Sequence, residues 1–213
     1  MADYEAMSEN LQKGKAKEVQ ELVQAALDEG IPAKQILDEG LMPAMSIVGE
    51  KFKRNEVYVP EVLIAARAMS AGTDLLKPHF IAGGVKSIGK AVIGTVKGDL
   101  HDIGKNLVKM MMEGKGIEMV DLGTDVPAQK FIDSAKDEGA QIICCSALLT
   151  TTMKGMEDVV KAAESSGLRD SMTIMVGGAP VTESFKDSIG ADLYTSNAAS
   201  AAEEAYSVLE RAT

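Results

Sequence analysis

At 213 residues, with 32 acidic against 22 basic side chains and a formal net charge of −10, the chain is longer than the usual single domain and clearly acidic. That size makes two modest domains the natural expectation, and that charge disfavours nucleic acid as a partner, since scattered lysines cannot assemble a basic face. No apolar run is long enough to span a bilayer and the first residues do not resemble a secretion signal, so no membrane partner and a cytoplasmic location are expected.

Residues 1 to about 80 read as helices only. Ala16, Val19, Leu22, Val23, Ala26 and Leu27 recur at three and four, and Gly30-Ile31-Pro32 ends that helix. The next helix carries Leu41, Met45, Val48 and Phe52 on one stripe. Lys53-Arg54-Asn55-Glu56 follows as a charged connector, and Pro60 sits where a first-turn proline belongs. From Val62 to Leu76 comes a helix that is apolar on two sides, with Ile64, Ala68, Ala71 and Leu75 on the second, which predicts packing in the centre of a bundle. Pro78 to Lys90 contains Gly83-Gly84 and Gly89 and reads as the connecting stretch. The expected division is a helical domain over 1–80, a linker over 81–90 and an α/β domain over 91–213.

The second domain alternates strand and helix. Strands are expected near 91–97, 117–122, 140–147, 172–176 and 191–195, and helices near 104–115, 127–138, 153–166, 182–188 and 198–211. Five such units predict a doubly wound parallel sheet with right-handed crossovers. In the flavodoxin-like strand order the switch point lies between strands one and three. Those strands end at Gly98–Gly104 and Ser146–Thr152, so the two strongest motifs should face one crevice. The cysteines, Cys144 and Cys145, are adjacent on the third strand. Successive side chains there point to opposite faces, so both read as structural thiols.

Gly98-Asp99-Leu100-His101-Asp102-Ile103-Gly104 is the stretch that offers chemistry. It follows the apolar run Ala91–Val96, and it is neither a dinucleotide fingerprint nor a phosphate-binding loop. The chain has two histidines, His79 and His101, which excludes a multi-histidine metal site. One imidazole can still be the single protein ligand of a metal held by a macrocycle. For that role the ring must be neutral, with one nitrogen lone pair free and the other N–H held by an acceptor. Asp99 is placed to be that acceptor. The spacing is equally compatible with Asp102 as a helix N-cap and His101 as an ordinary loop residue. Ser146 and Thr150-Thr151-Thr152 could hold Asp99 or a ligand, or merely cap the next helix. Gly177-Gly178 permits close approach of a bulky group, though a plain turn also uses glycine. Met110-Met111-Met112 reads as packing, and His79 as a surface or linker residue.

Asp99-Leu100-His101-Asp102-Ile103-Gly104 matches the D-x-H-x-x-G motif of cobalamin-binding domains. The longer run Thr95–Asn106 resembles the corrinoid domain of cobalamin-dependent methionine synthase. It is still more similar to the small corrinoid proteins of methylotrophic and O-demethylating methyltransferase systems. Ser146-Ala147-Leu148 with Thr150, then Gly177-Gly178, follow in the family's order. The resemblance implies cobalamin or a related corrinoid as cofactor, present as methylcobalamin in the loaded state. It implies His101 as axial cobalt ligand in place of the cofactor's own base, with Asp99 and Ser146 completing a relay behind it. Gly98, Leu100, Asp102, Ile103, Gly104, Leu148, Thr150, Thr151, Gly177, Gly178, Tyr194 and Ala198 are the implied cofactor contacts. By the same resemblance Phe52, Val59, Val62 and Glu39 cap the upper corrin face, with simple bundle packing the competing reading.

The implied role is a methyl carrier that is not catalytic alone. It would accept a methyl group from a substrate-specific methyltransferase and pass it to a second methyltransferase acting on tetrahydrofolate or a thiol. A reductive activase would restore the over-oxidised cofactor, and the stretch over 78–90 would act as a hinge. The alternatives are a cobalamin-binding sensor module and a nucleotide- or phosphate-binding α/β protein in which His101 is incidental.

Overall fold

The computed structural model describes residues 3–83 and 87–211. The chain divides into two compact units, residues 1–87 with 113–116, and 88–112 with 117–213. Among the described residues no helix is long and apolar enough to cross a membrane.

The first unit is helical. Its elements are α1 (Tyr4–Gln12), α2 (Ala16–Asp28), the short α3 (Ala33–Gln35), a π-helical stretch Ile36–Leu41, α4 (Met42–Lys53) and α5 (Val59–Gly83). Helix α1 was not singled out in the sequence because only two of its residues, Met7 and Leu11, are buried. Its start is capped by the Asp3 carboxylate, which accepts from the Ala6 N–H at 2.8 Å. Val19, Val23 and Ala26 of α2 and Val62, Ala66, Met69 and Leu76 of α5 are buried, as their spacing predicts. Ile64, expected to face inward on a second stripe, is 43% exposed, so α5 is not enclosed on all sides.

Helix α5 begins beside Pro60, with the Glu61 carboxylate accepting from the Tyr58 N–H at 3.1 Å. It does not stop at Pro78, where the connecting stretch was expected to begin, but continues to Gly83. Proline removes one backbone donor and disfavours helix in the residue before it, yet its own φ is helical, so it need not end a helix. The remainder of the expected linker includes 84–86, which lie outside the described residues.

The second unit is the α/β domain. Its strands are β1 (Gly89–Thr95), β2 (Ile117–Asp121), β3 (Ile142–Ser146), β4 (Thr173–Gly177) and β5 (Leu193–Tyr194). The alternating helices are α6 (Ile103–Glu113), α7 (Ala128–Glu138), α8 (Lys154–Ser165), α9 (Glu183–Ile189) and α10 (Ala198–Arg211). All pairings are parallel and the order is β2-β1-β3-β4-β5, the flavodoxin-like order expected from the alternation. Strand β1 starts at Gly89, inside the stretch read as linker. One core cluster is built on Val92, Val96, Phe131, Ile143, Cys145, Val159, Ile174 and Val176. Cys144 projects the other way, with its Sγ 4.0 Å from Met112 Sδ, and both thiols are free and buried. Burial pushes the Cys144 thiol up to about 12, which removes it from thiolate chemistry.

The register aligns three strand ends. Thr95 pairs with Ser146, and Ser146 with Gly177, so the loops leaving β1, β3 and β4 emerge side by side. Helix α6 is anchored below this edge by Lys105, which is 3% exposed. Its Nζ donates to Asp121 Oδ1 at 2.6 Å and to Asn106 Oδ1 at 2.7 Å. Burial alone would raise the Asp121 carboxyl, but Lys105, the Gly123 N–H and Lys109 together lower it. Removing Lys105 takes the nearest cation from a partly buried carboxylate and leaves it Lys109 and the Gly123 N–H, so Lys105→Ala is expected to cost about 2 kcal/mol. The check is a lower urea midpoint at unchanged slope.

Candidate functional site

The loop between β1 and α6 turns at Gly98, whose φ of +82° is a conformation that side chains rarely adopt. The turn sends Asp99 inward, fully buried, and leaves His101 outside with its side chain 52% exposed. Asp99 Oδ1 lies 2.8 Å from His101 Nδ1 and accepts from the His101 backbone N–H at 3.1 Å. Asp99 Oδ2 accepts from the N–H groups of Leu148 (2.8 Å) and Leu149 (3.4 Å) and from the Thr152 hydroxyl (2.7 Å). The Thr152 hydroxyl has one hydrogen and a second acceptor in reach, Leu149 O at 2.9 Å. The charged oxygen is the nearer and stronger acceptor.

Burial pushes the Asp99 carboxyl upward, but the donors from Leu148, Thr152 and His101 outweigh it and hold the group well below the usual carboxylate range. An ionised carboxylate only accepts, so His101 Nδ1 must be the protonated nitrogen. With Nδ1 carrying the proton, Nε2 is the ring nitrogen whose lone pair a metal would take. Buried Thr95 steadies the same residue from below, its hydroxyl donating to the His101 carbonyl at 2.8 Å.

The sequence reading paired Asp99 with Ser146, and here the structure differs. The hydroxyl that reaches Asp99 belongs to Thr152, six residues further along the chain. Ser146 ends β3 half-buried, and its carbonyl accepts from Val96 N–H at 3.0 Å. The loop after β3 carries the chain outward before Thr152 returns at the start of α8. Thr95 is a positioning group that the sequence reading missed, because nothing in a buried strand threonine marks its partner.

Large apolar side chains stand exposed on the two loops that meet at Asp99: Leu100 at 73%, Ile103 at 71%, and Leu148 and Leu149 at 42% and 44%. Thr150 and Thr151 are exposed on the same loop as Leu148. A methyl group added at Gly104 or Gly177 would meet no atom within 4 Å, so open space lies over both. Gly178 is different: its φ is +133° and an added Cβ would lie 1.9 Å from the Ala147 carbonyl oxygen, which no side chain permits. Asp102 is exposed at the entry to α6, its carbonyl accepting from Asn106 N–H at 2.8 Å. Tyr194 is partly buried on β5 and Ala198 is buried at the start of α10; neither belongs to the hydrogen-bonded network around Asp99.

In the helical unit, Phe52 near the end of α4 and Val59 at the start of α5 are half-buried. Glu39 is exposed in the π-helical stretch, its Oε2 accepting from Gln35 Nε2 at 3.2 Å. Val62, expected with them over the corrin, is fully buried.

Among the described residues no group of three or more His, Cys, Asp and Glu could hold a metal ion by itself. A lone imidazole with a free lone pair, an anchored N–H, an apolar collar and open space over two glycines suits a metal delivered inside a large flat macrocycle. The residues therefore fit a corrinoid.

Comparison with known proteins agrees. A B12 binding domain model matches residues 89–205, and a second B12 binding domain model matches residues 4–77. Dimethylamine corrinoid protein 3 of Methanosarcina acetivorans is 41% identical over 213 residues, covering 98% of this chain and 100% of the relative. Trimethylamine corrinoid protein 1 of the same organism is 41% identical over 191 residues, covering 89% of this chain and 88% of that protein. The crystal structure of the methanol:cobalamin methyltransferase complex MtaBC from Methanosarcina barkeri superposes with a TM-score of 0.85 at 28% identity, covering 97% of this chain and 79% of that one. This chain belongs to the B12-binding corrinoid proteins.

Proposed function

We propose that the chain is the methyl-carrying corrinoid protein of a methyltransferase system. It serves a substrate-specific methyltransferase and a second methyltransferase whose acceptor is tetrahydrofolate or a thiol, with a reductive activase as third partner. The observation that supports this most directly is the His101 ring, tied at Nδ1 to an ionised, buried Asp99 and open at Nε2. The relatives named for dimethylamine and trimethylamine favour methylated amines as the methyl source over the substrates of O-demethylating systems.

Bound here, the corrinoid would supply a cobalt able to take up and release a methyl group. His101 would be its protein ligand. Asp99 holds that ring in one tautomer and one orientation, and Thr152 with the Leu148 N–H holds Asp99. Leu100, Ile103, Leu148 and Leu149 would shield the bound macrocycle from water, while Gly104 and Gly177 leave room for it. Gly98, Asp102, Thr150, Thr151, Gly178, Tyr194 and Ala198 are the further contacts proposed on that side, and Phe52, Val59 and Glu39 those of the helical unit.

The direct test is the absorption spectrum of the chain reconstituted with hydroxocobalamin, wild type beside His101→Ala. Wild type is expected to form a stoichiometric complex whose spectrum shifts when His101 is removed. Failure of well-folded wild type to retain any corrinoid would end the proposal; tight binding with identical spectra would take the ligand role from His101. Thr152→Val removes one hydroxyl from Asp99 at nearly constant volume. It is expected to lower stability by about 1–2 kcal/mol and to reduce the His101-dependent spectral shift, with Thr152→Ser restoring both. Equal behaviour of the two variants in urea melts and spectra would show that the hydroxyl is idle.

A further inference from the structure

The loop between β2 and α7 touches the His101 loop at a point that neither the ligand nor Asp99's own donors explain. Gly123 O accepts from Thr95 N–H at 2.9 Å, and Val126 N–H donates to Thr95 O at 2.9 Å, which extends the β1 edge by two backbone bonds. Beyond these, Asp125 makes two bonds of opposite sense to adjacent residues. Its carboxylate Oδ1 accepts from Gly98 N–H at 2.7 Å, and its own N–H donates to Asp99 O at 2.9 Å. Asp125 does this with φ at +55°, a conformation that costs most residues energy and that Asp and Asn tolerate best. Lys97 Nζ lies 3.2 Å from the same carboxylate, but with Lys97 64% exposed that pair is screened.

We infer that Asp125 is a positioning residue: it braces the turn at Gly98 and Asp99 and so sets how far His101 reaches toward the cobalt. This rests on the corrinoid reading above. The brace acts on the backbone immediately ahead of the ligand, where a small rotation is carried to the ring. Gly98 is exposed, so without Asp125 its N–H would be hydrated rather than stranded. Loss of the brace should therefore loosen the turn without unfolding the domain.

The informative substitution is Asp125→Gly, which keeps the left-handed backbone and removes only the acceptor, whereas alanine would add strain. Asp125→Asn is the rescue, since its amide oxygen can accept from Gly98 N–H and asparagine tolerates positive φ. In the full chain without cofactor, the Gly98 amide of Asp125→Gly is expected to exchange roughly tenfold faster or more than in wild type. Reconstituted with hydroxocobalamin, that variant should lose much of the His101-dependent spectral shift. Asp125→Asn should restore both, and Lys97→Ala should leave both alone. Wild-type exchange and spectrum in Asp125→Gly would overturn the inference. So would an Asp125→Asn variant as impaired as Asp125→Gly, which would make charge rather than geometry the operative property. If wild type itself shows no His101-dependent shift, the ligation reading fails and takes the cobalt part of the inference with it, while the exchange rates separately decide the brace.

Discussion

A carboxylate buried without partners costs several kcal/mol, and such a group either neutralises or is surrounded by donors. Asp99 is the buried carboxylate among the described residues of this domain, and much of the architecture around the site serves its solvation. Two donors come from His101, two from the backbone of the loop after β3, and one from Thr152 just ahead of α8. Because the Leu148, Leu149 and Thr152 donors lie 49 residues and more from Asp99 in sequence, satisfying Asp99 locks the ends of β1 and β3 into one geometry. The orientation of the His101 ring then follows from a folding requirement rather than from the ring's own packing, which is slight.

The parallel sheet makes that arrangement possible. Strands β1 and β3 are neighbours only because the order reverses at β1, which separates the following loops to opposite faces and opens a crevice between them. The register places Thr95, Ser146 and Gly177 in one row, so the three loops leave the sheet at one height. Behind them the Lys105–Asp121 pair holds α6 against β2. The Gly123 N–H on the same carboxylate connects that pair to the loop that carries Asp125. The site is thus supported from three strands and two helices, while the surface it presents is apolar and open. A large flat cofactor suits that combination of a held imidazole and apolar walls.

The exposed leucines and isoleucine around His101 have a cost in the absence of a ligand, since apolar side chains in water lose the stabilisation that burial would bring. Corrinoid binding would recover it. The stability of the α/β unit and its occupancy by cofactor should therefore be linked, as for any ligand that binds the folded state alone.

Much of this was legible in the sequence, for reasons that differ by element. The alternation of short apolar runs with amphipathic segments specified five strand–helix units. The handedness of such units then restricted the strand order and placed two motifs at one crevice. The Asp99–His101 contact was equally accessible because it is local: two residues on one turn can be judged from spacing. The hydroxyl on Asp99 was not, since Ser146 and Thr152 both lie on the segment leaving β3 and only the path of that loop decides which returns within 2.7 Å. The same holds for Pro78, whose helix continues although the local preference disfavours it. Asp125 could not be read at all, because a left-handed backbone and two bonds to a turn 27 residues away leave no periodic trace. Sequence pattern determined which segments form elements and brought Asp99 and His101 together on one loop. The tertiary structure alone decided which donors meet the buried charge, because a hydrogen bond depends on distances of a few tenths of an ångström that residue type does not encode.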